Sequence, residues 1–478
     1  MRYFAYILYI FLIPFTMGAQ VGIGTTNPHP SSIIDMTSTE GGLLTPRMNT
    51  LDRVGISSPA KGLLVFDTDL DQFYYFDGTV WTPIGANDKR NNYKLVKDIS
   101  DLADELVAGG GSRYLMNANY LYEINGIITF DFPIEMNSSY IEGVDVSEDV
   151  LYNNSGSTLF IGTTGGSMRN LTINANGNQI FNITGSGASN IICNSMIYLG
   201  ASSIGSISGM NVVYFNVSQY VGNTTGLSMS NISTAFMQNV FWTASNTGTF
   251  LTLTGSITNF QAANGRIVVD SGETGVNVSG NPTIVNSAAI SAISFIGAGD
   301  RVNGYTSGSY TGFNFTNAWN VRCQGIPEET DNEAAGNFYN TNTLSTGFTQ
   351  SITNGTAQEI QGNGTFAADK LFRFNATGGN RLTYTGVDAR NFQVSASVSL
   401  RVTNADTNFY AVVLAKNGVL VTESNAVVYI ANDAQIQNVS INSVVSLVSG
   451  DFIELYVQRL TGSGTDTLVV FSENLSIK

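Results

Sequence analysis

Histidine, cysteine and basic side chains are scarce in this sequence, and each shortage excludes a class of chemistry. The 478 residues contain one histidine, His29, so a zinc site with two histidine ligands cannot form within the chain. A serine or cysteine nucleophile would also need this histidine as its base, yet His29 lies between two prolines, far in sequence from every domain with a plausible cleft. No catalytic site is therefore expected from histidine chemistry.

Positive charge is equally limited. Lysine and arginine number 21 against 36 aspartate and glutamate residues, which gives a net charge of −15. Such a surface repels phosphate over most of its area, so nucleic acid and anionic membranes are not expected partners. The charged fraction of 12%, with 50 glycines spread between apolar runs, indicates a turn-rich, all-β extracellular protein of two or three domains.

Disulfide and metal sites have little support. The two cysteines, Cys193 and Cys323, allow one disulfide bond, but two small buried thiols are the favoured interpretation. Asp67, Asp69 and Asp71 are spaced like the start of a calcium-binding loop, but the sharp-turn glycine and the bidentate glutamate of such a loop are missing. A polar turn between strands explains them better, and we expect no metal and no cofactor.

Residues 1–19 predict a signal peptide. A positive end at Arg2 precedes an apolar run from Tyr3 to Phe15, and small residues stand before Gln20. The run is short for a bilayer span, and a retained anchor is the alternative. We expect an exported protein with no membrane insertion after cleavage, at the surface of a Gram-negative bacterium, with a virion as the alternative location.

Short apolar runs that follow turn-forming residues dominate the stretch 120–321. Their first large apolar residues recur at intervals that vary only slightly along the chain: Leu171, Ile191, Met210, Ile232 and Ile257. This spacing fits coils of three short strands, in which each coil buries its inward side chains by stacking on the next. The prediction is a right-handed parallel β-helix over 113–327.

Residues 20–88 resemble a known group of proteins. The phrases that carry the resemblance are Val21–Pro28, Leu43–Asn49, Gly62–Thr68 and Phe73–Trp81. In this order they resemble the head module of exported fibre-like proteins from Bacteroidota and their phages. The resemblance implies a small β-rich attachment module ahead of a repetitive shaft, with a larger surface appendage as its partner.

Residues 89–112 have a different pattern, with apolar side chains at helical spacing. Asp98 or Ser100 can cap the start of a helix, and Gly109–Ser112 ends it. A helix here would cover the open first coil of the β-helix, whose unpaired backbone groups would otherwise recruit other chains. The chain from Tyr114 onward resembles the opening of pectin-lyase-like β-helices. This resemblance implies the fold and does not assign an activity.

The acidic segment 328–346 predicts a linker, and 347–478 predicts a β-sandwich. Strictly alternating strands and a hairpin turn at Lys416–Gly418 support the sandwich. The phrases Ala411–Gly418 and Leu447–Val457 resemble the jelly-roll heads of phage tail fibres and of tumour-necrosis-factor and complement-type proteins. The resemblance implies a homotrimer whose tip binds a receptor.

Two sets of residues are candidates for a functional site on the shaft. β-Helix enzymes that cleave glycans carry paired carboxylates on the outer face, and the early coils hold an acidic cluster, for which solvated surface acids are the favoured explanation. Tyr305 and Tyr310 stand in a glycine-rich run and are the weak candidates for exposed, ligand-binding rings. The members of the acidic cluster are Glu135, Glu142, Asp145, Glu148 and Asp149.

Three hypotheses follow from these patterns. The favoured one is a non-enzymatic fibre or adhesin, a homotrimer whose jelly-roll tip binds a cell-surface glycan or protein receptor at the end of a rigid shaft. A β-helix polysaccharide depolymerase and a structural component of a surface appendage are the alternatives. Under the favoured hypothesis the chain is not an enzyme and has no catalytic residue.

Overall fold

The structure is a computed structural model that describes residues 20–85, 91–343, 345–362, 365–376, 380–404 and 408–478. The predicted signal peptide, 1–19, lies outside the described residues. The chain divides into two compact units, Met1–Asn91 and Asn92–Lys478. Among the described residues, no helix has the length and apolar character that a bilayer span requires.

The first unit is a small β-rich module. Its described elements are β1 (Val21–Ile23), β2 (Ile34–Met36), β3 (Arg47–Met48), α1 (Thr50–Val54), β4 (Leu64–Asp67), β5 (Gln72–Phe76) and β6 (Trp81–Pro83). Strands β1 and β2 pair in parallel, and β3 to β6 form a second sheet in sequence order. Asp67 is buried and accepts a hydrogen bond from Arg53 Nε at 2.7 Å and bonds from the Thr50 hydroxyl. Its carboxylate therefore stabilises the fold of this module.

The second unit begins with a parallel β-helix of about nine turns. Strands of successive turns pair in parallel throughout one continuous 18-stranded sheet. The handedness stays a prediction. The strands are β7 (Tyr93–Val96), β8 (Tyr114–Leu115), β9 (Leu121–Ile124), β10 (Ile127–Phe130), β11 (Ile134–Glu135), β12 (Tyr140–Glu142), β13 (Val150–Asn153), β14 (Phe160–Gly162), β15 (Gly166–Asn174), β16 (Gln179–Thr184), β17 (Asn190–Leu199), β18 (Ser203–Val221), β19 (Leu227–Trp242), β20 (Thr249–Val268), β21 (Thr274–Asn277), β22 (Thr283–Ile296), β23 (Asp300–Asn303) and β24 (Trp319–Gln324).

Single residues in the left-handed backbone conformation form one corner of the β-helix. They lie in register on successive turns, because the residues on either side of each pair with those of the next turn. Asparagine, which tolerates positive φ better than other residues with a side chain, occupies half of these positions. The corner residues are Asn170 (φ 54°), Ser195 (55°), Val217 (47°), Asn239 (52°), Asn264 (59°) and Ala292 (54°).

These corners explain where the predicted repeat was right and where it was wrong. Met210, Ile232 and Ile257 stack on one another as predicted. Leu171 pairs with Met196, however, and Ile191 pairs with Val213. Leu171 follows a corner and Ile191 precedes one, so the two residues belong to different faces, which the apolar pattern does not distinguish.

The interior of the β-helix is filled by aliphatic and aromatic side chains. Tyr198 and Tyr220 stack at a centroid distance of 5.0 Å, and Trp242 lies 5.7 Å from Tyr220 on the next turn. Cys193 is buried and Cys323 is half-buried, and both are free thiols. Burial raises the pKa of the Cys193 thiol to about 12, so it packs as a small apolar group.

A short helical segment covers the first turn of the β-helix. A 3₁₀ turn (Ile99–Leu102), capped by the side chain of Asp98, leads into α2 (Ala103–Ala108). Leu102 is buried, and the buried Glu105 accepts hydrogen bonds from Tyr122 and Lys94. Residues 93–96, which the helical pattern included, form strand β7 instead, so the sheet of the β-helix starts well ahead of the predicted boundary at position 113.

Two antiparallel sheets follow the β-helix. One has the order β28-β25-β37-β31-β35 with β26 on β37, and the other has β29-β30-β36-β32-β33 with β27 on β36 and β34 on β32. The two sheets share a core of buried aliphatic and aromatic side chains. The jelly-roll topology itself stays a prediction. The elements are a 3₁₀ turn (Asp331–Glu333), β25 (Ala335–Asn340), β26 (Phe348–Thr353), β27 (Ala357–Glu359), β28 (Phe366–Phe372), β29 (Phe374–Asn375), β30 (Leu382–Tyr384), β31 (Arg390–Thr403), β32 (Asn408–Lys416), β33 (Val419–Leu420), a 3₁₀ turn (Thr422–Ser424), β34 (Ala426–Ile430), β35 (Gln437–Leu447), β36 (Phe452–Arg459) and β37 (Thr465–Ile477).

Candidate active site

Three charged side chains line up on the outer face of the early turns. Strands β9, β12 and β15 pair so that Glu123 lies in register with Glu142, and Glu142 with Arg169. Neighbouring strands are about 4.8 Å apart, and side chains in register on one face stand directly above one another. The three residues, which we call the carboxylate ladder, therefore place two acids on adjacent turns.

Each acid of the ladder accepts a hydrogen bond from a side chain on a neighbouring turn. Tyr93, on the turn before Glu123, donates its hydroxyl to Glu123 Oε2 at 2.7 Å. Arg169 Nε donates to Glu142 Oε2 at 2.7 Å, and its Nη2 contacts the same oxygen. The side chain of Glu142 retains 23% of its exposure and that of Arg169 55%. Both acids are thus oriented, and Glu142 is accessible to a ligand in solution.

The phenol of Tyr93 remains a hydrogen-bond donor at neutral pH. Burial, the hydrogen bond to Glu123 and the negative charges of Glu123 and Glu142 raise the pKa of Tyr93 to about 12. The charge of Glu142 acts on Tyr93 across one intervening turn, so all three groups share one electrostatic environment.

A second ladder runs beside the first, two residues earlier in each strand. Tyr140 pairs with Ser167, and Ser167 with Ile192. These residues line a cleft of about 220 Å³, with polar neighbours that include Ser189 and Asn190. The Tyr140 side chain is 50% exposed, and a flat ring of this kind stacks on the apolar face of a sugar. The cleft therefore offers a saccharide-sized contact surface next to the two acids.

The structure assigns different environments to the five acids that the sequence singled out. Glu142 belongs to the carboxylate ladder, whereas Glu135 lies on another face, where it pairs with Arg113 at 2.7 Å. Asp145 and Glu148 are exposed in the loop after β12. The predicted cluster is therefore divided between two faces of the β-helix and the loop that follows β12.

The fifth acid, Asp149, has a structural role. It is 6% exposed and accepts hydrogen bonds from the backbone N–H groups of Gly126, Val144 and Asp145. Burial acts to raise its pKa, but these three bonds together hold the pKa below its usual value. Its carboxylate closes the loop that projects between β12 and β13.

Glu123, Tyr93 and Tyr140 were absent from the sequence-based candidates. The signal was present in the phrases Leu121-Tyr-Glu and Tyr140-Ile-Glu, in which a glutamate follows an inward-facing residue on each of two successive turns. Since one full turn of the chain separates the two glutamates, their proximity depends on the length of that turn, which the composition does not reveal.

The two tyrosines predicted to be exposed have different surroundings. Tyr305 is 9% exposed, donates to the Pro282 carbonyl at 2.7 Å and accepts from Trp319 Nε1 at 3.0 Å, so the expected exposure is not found. Tyr310 is half-buried and packs edge-on against Phe372 at 5.4 Å. A ligand-binding role for either residue stays a prediction.

Comparison with known proteins gives one match to a protein family. Residues 22–95 match the family described as "Phage tail like trimerisation region". No curated protein matches the sequence. The match covers the predicted attachment module and supports assembly as a homotrimer of a phage-tail-like protein, whereas the Bacteroidota origin stays a prediction.

Two solved structures from phage tailspikes are also similar to this chain. One is the enzymatically active domain of tailspike protein 4 from bacteriophage CBA120, at 11% identity over 91% of this chain and 77% of that chain, with a TM-score of 0.22. The other is tailspike protein gp49 from the Acinetobacter baumannii bacteriophage Fri1, described as a capsular polysaccharide depolymerase, at 8% identity over 91% and 98% of the two chains, with a TM-score of 0.18.

These two structures contradict the prediction that the chain is not an enzyme. One is described as enzymatically active and the other as a depolymerase. At TM-scores of 0.22 and 0.18 neither alignment assigns a catalytic residue to this chain. A non-enzymatic adhesin is accordingly not shown.

Proposed function

We propose that this protein is a trimeric, phage-tail-like polysaccharide depolymerase that cleaves glycosidic bonds at the carboxylate ladder. The observation that carries the proposal is the register that places Glu123 and Glu142 on adjacent turns, each with its own orienting partner. Hydrolysis of a glycoside needs two carboxyl groups on opposite sides of one bond, separated by about 5 to 10 Å. Two acids one turn apart meet the lower part of that range.

The partners of the two acids suggest a different role for each. Glu142 is ion-paired with Arg169, which favours a carboxylate that acts as nucleophile or general base. Glu123 makes no ion pair among the described residues and accepts only from the neutral Tyr93 phenol, so of the two acids it is the one better suited to carry the proton that passes to the leaving oxygen of the sugar. One water molecule adds across the bond, so that a reducing end and a free hydroxyl are formed.

The cleft beside the ladder would hold the polymer. Tyr140 presents an exposed ring to one face of a sugar, and serine and asparagine side chains around it can donate to and accept from hydroxyl groups. A polymer that lies along the cleft passes Glu142, because Tyr140 and Glu142 are two residues apart on one face of the same strand.

We place the protein on a virion or outside the cell.

The proposal is tested by the release of reducing ends from capsular and matrix polysaccharides. Glu142→Gln and Glu123→Gln should each lower the rate by at least about 100-fold, the usual contribution of one acid or base. Glu148→Gln, a nearby exposed acid outside the ladder, is the matched control and should leave the rate unchanged. Sedimentation and thermal melting would establish that all variants stay assembled and folded.

Two results would contradict the proposal. One is full activity in both ladder variants, which would move the chemistry elsewhere. The other is the appearance of unsaturated, ultraviolet-absorbing ends in place of saturated ones, which would identify elimination and not hydrolysis.

A further inference from the structure

A second and larger cavity, of about 830 Å³, lies where the β-helix meets the C-terminal sheets. Its walls come from the loop between β23 and β24 and from strands β28 and β29. Seven turns separate this end of the β-helix from Glu142, which corresponds to about 30 Å along the axis. The cavity is thus separate from the carboxylate ladder, and its volume is that of a site for a small molecule or a short oligomer.

Aromatic rings form one wall of this cavity. Phe313 stacks on Phe372 with a centroid distance of 3.9 Å and an interplanar angle of 15°, and Tyr310 meets the same ring edge-on. Phe372 is 3% exposed, whereas Phe313 and Tyr310 keep part of their surface accessible. A ligand in the cavity would therefore contact Phe313 and Tyr310, with Phe372 fixing their positions from behind.

Polar and charged side chains form the rim. Asp369 accepts a hydrogen bond from Asn337 at 2.9 Å. Glu333 and Lys370 are exposed, and within the described part of the chain their side chains make no hydrogen bond or ion pair. Two carboxylates and one ammonium group disfavour a polyanion such as a nucleotide or a phospholipid headgroup. They provide both donors and acceptors for the hydroxyl groups of a neutral ligand.

The wall formed by β28 and β29 is held in a strained backbone conformation. Lys370 and Arg373 have φ values of 53° and 57°, in the left-handed region that residues with a side chain seldom adopt. Arg373 is 1% exposed, donates to the Trp319 carbonyl at 2.5 Å and lies 3.1 Å from Asp331. Strain of this kind persists where surrounding contacts impose it, so these contacts hold this wall of the cavity in place.

We propose that this cavity is a non-catalytic binding site for a short, uncharged oligosaccharide. Sugar rings combine an apolar face, which suits Phe313 and Tyr310, with hydroxyl groups, which suit Glu333, Asp369 and Lys370. The site would retain a segment of a glycan about 30 Å from the carboxylate ladder. This inference does not require that the ladder cleaves glycans, because binding and cleavage are measured separately.

The test is calorimetric titration of the full-length protein carrying Glu142→Gln with neutral hexasaccharides of glucose, mannose and N-acetylglucosamine. We expect one class of hexasaccharide to bind, and Phe313→Ala and Lys370→Gly each to raise its Kd at least tenfold. Glycine tolerates the φ of Lys370, so that variant should fold even where Phe313→Ala does not. Phe409→Ala, which removes another exposed ring of the C-terminal sheets, is the matched control and should leave Kd unchanged.

The outcomes discriminate between the two sites. The inference is overturned when none of the hexasaccharides binds or when binding survives Lys370→Gly. It is also overturned when Tyr140→Ala alone abolishes hexasaccharide binding, because the glycan would then bind beside the carboxylate ladder. Loss of cleavage in Glu142→Gln with retained binding would leave the inference intact and concern the proposed function alone.

Discussion

Glu473 projects from strand β37 into the C-terminal sheets, where it is 3% exposed. Neither of its carboxylate oxygens has a hydrogen-bond partner among the described residues. Burial, and then the charge of Glu359, raise the pKa of Glu473 well above its usual value. Glu454, also under burial and the charge of Glu359, has its pKa raised to about 7. Protonation of each carboxyl group is therefore more favourable in the folded protein than in the unfolded chain.

We predict that Glu473→Gln stabilises the protein increasingly as pH rises. A carboxyl group with a raised pKa in the folded state contributes its full stability below its unfolded pKa of about 4.3, and this contribution is lost as pH approaches the folded pKa. Glutamine cannot ionise, so the variant should melt about 3 °C or more above the natural protein at pH 8 and close to it at pH 4.

Differential scanning fluorimetry between pH 4 and pH 8 would check this prediction. Other groups contribute to the pH dependence of stability with the opposite sign, such as Asp451, whose hydrogen bonds and Lys416 partner hold its pKa low despite burial. Their contributions are equal in the variant and the natural protein, so the difference in melting temperature removes them. Glu423→Gln, at an exposed position on the same sheets, should show no such trend. A melting difference for Glu473→Gln that stays constant with pH would show that its carboxyl group does not titrate abnormally.

At the scale of the element, the β-helix depends on its left-handed corner. Asparagine occupies three of the six corner positions, but Val217 occupies a fourth with φ 47° and a side chain that is 45% exposed. A β-branched residue in this conformation is an outlier, because its Cβ substituents crowd the following carbonyl group. The strands on either side nevertheless pair in register, so tertiary pairing imposes the conformation on Val217.

We predict that Val217→Asn increases the free energy of unfolding by about 1 kcal/mol, the typical cost of the left-handed conformation for an ordinary side chain. Urea unfolding followed by circular dichroism would measure it. Val285→Asn is the matched control, since Val285 is an exposed valine (58%) of the same β-helix without positive φ. Equal effects of the two substitutions would mean that hydrophobic exposure, and not backbone strain, determines the result.

At the scale of the whole molecule, the first unit has an unusually apolar surface. Leu51 on α1 is 81% exposed, Ile33 79% and Leu44 74%. The match of 22–95 to a trimerisation region covers all three residues. Monomeric proteins seldom leave so many large aliphatic side chains exposed in one small unit, and burial between subunits is the usual explanation.

We predict that Leu51→Glu weakens the trimer, because it replaces an exposed aliphatic side chain, whose burial between subunits would contribute about 1.5–3 kcal/mol, with a charge on each of the three subunits. Analytical ultracentrifugation across a dilution series should show dissociation at concentrations where the natural protein stays trimeric. Val107→Glu, at an equally exposed (79%) helical position outside the matched region, should not change the assembly. Identical sedimentation of the two variants would exclude Leu51 from the subunit contact.

The sequence by itself determined the class of this protein. Short apolar runs broken by turn-forming residues cannot bury their side chains alone, so they specify the stacked turns of a β-helix. The single histidine, His29, argues against histidine-based catalysis. The all-β class and the parallel β-helix followed from the pattern of apolar runs. The jelly-roll topology and the ligand of the C-terminal sheets did not follow, since alternating strands fit many sandwiches.

Only the tertiary structure decided which side chains meet. Glu142 and Arg169 lie farther apart along the chain than Glu123 and Glu142 do, yet each pair lies in register on neighbouring turns. The length of a turn varies because loops such as 143–149 project outward without shifting the pairing of the strands. Register is fixed by inward packing and backbone hydrogen bonds between turns, and these forces act between residues whose separation along the chain follows no constant period.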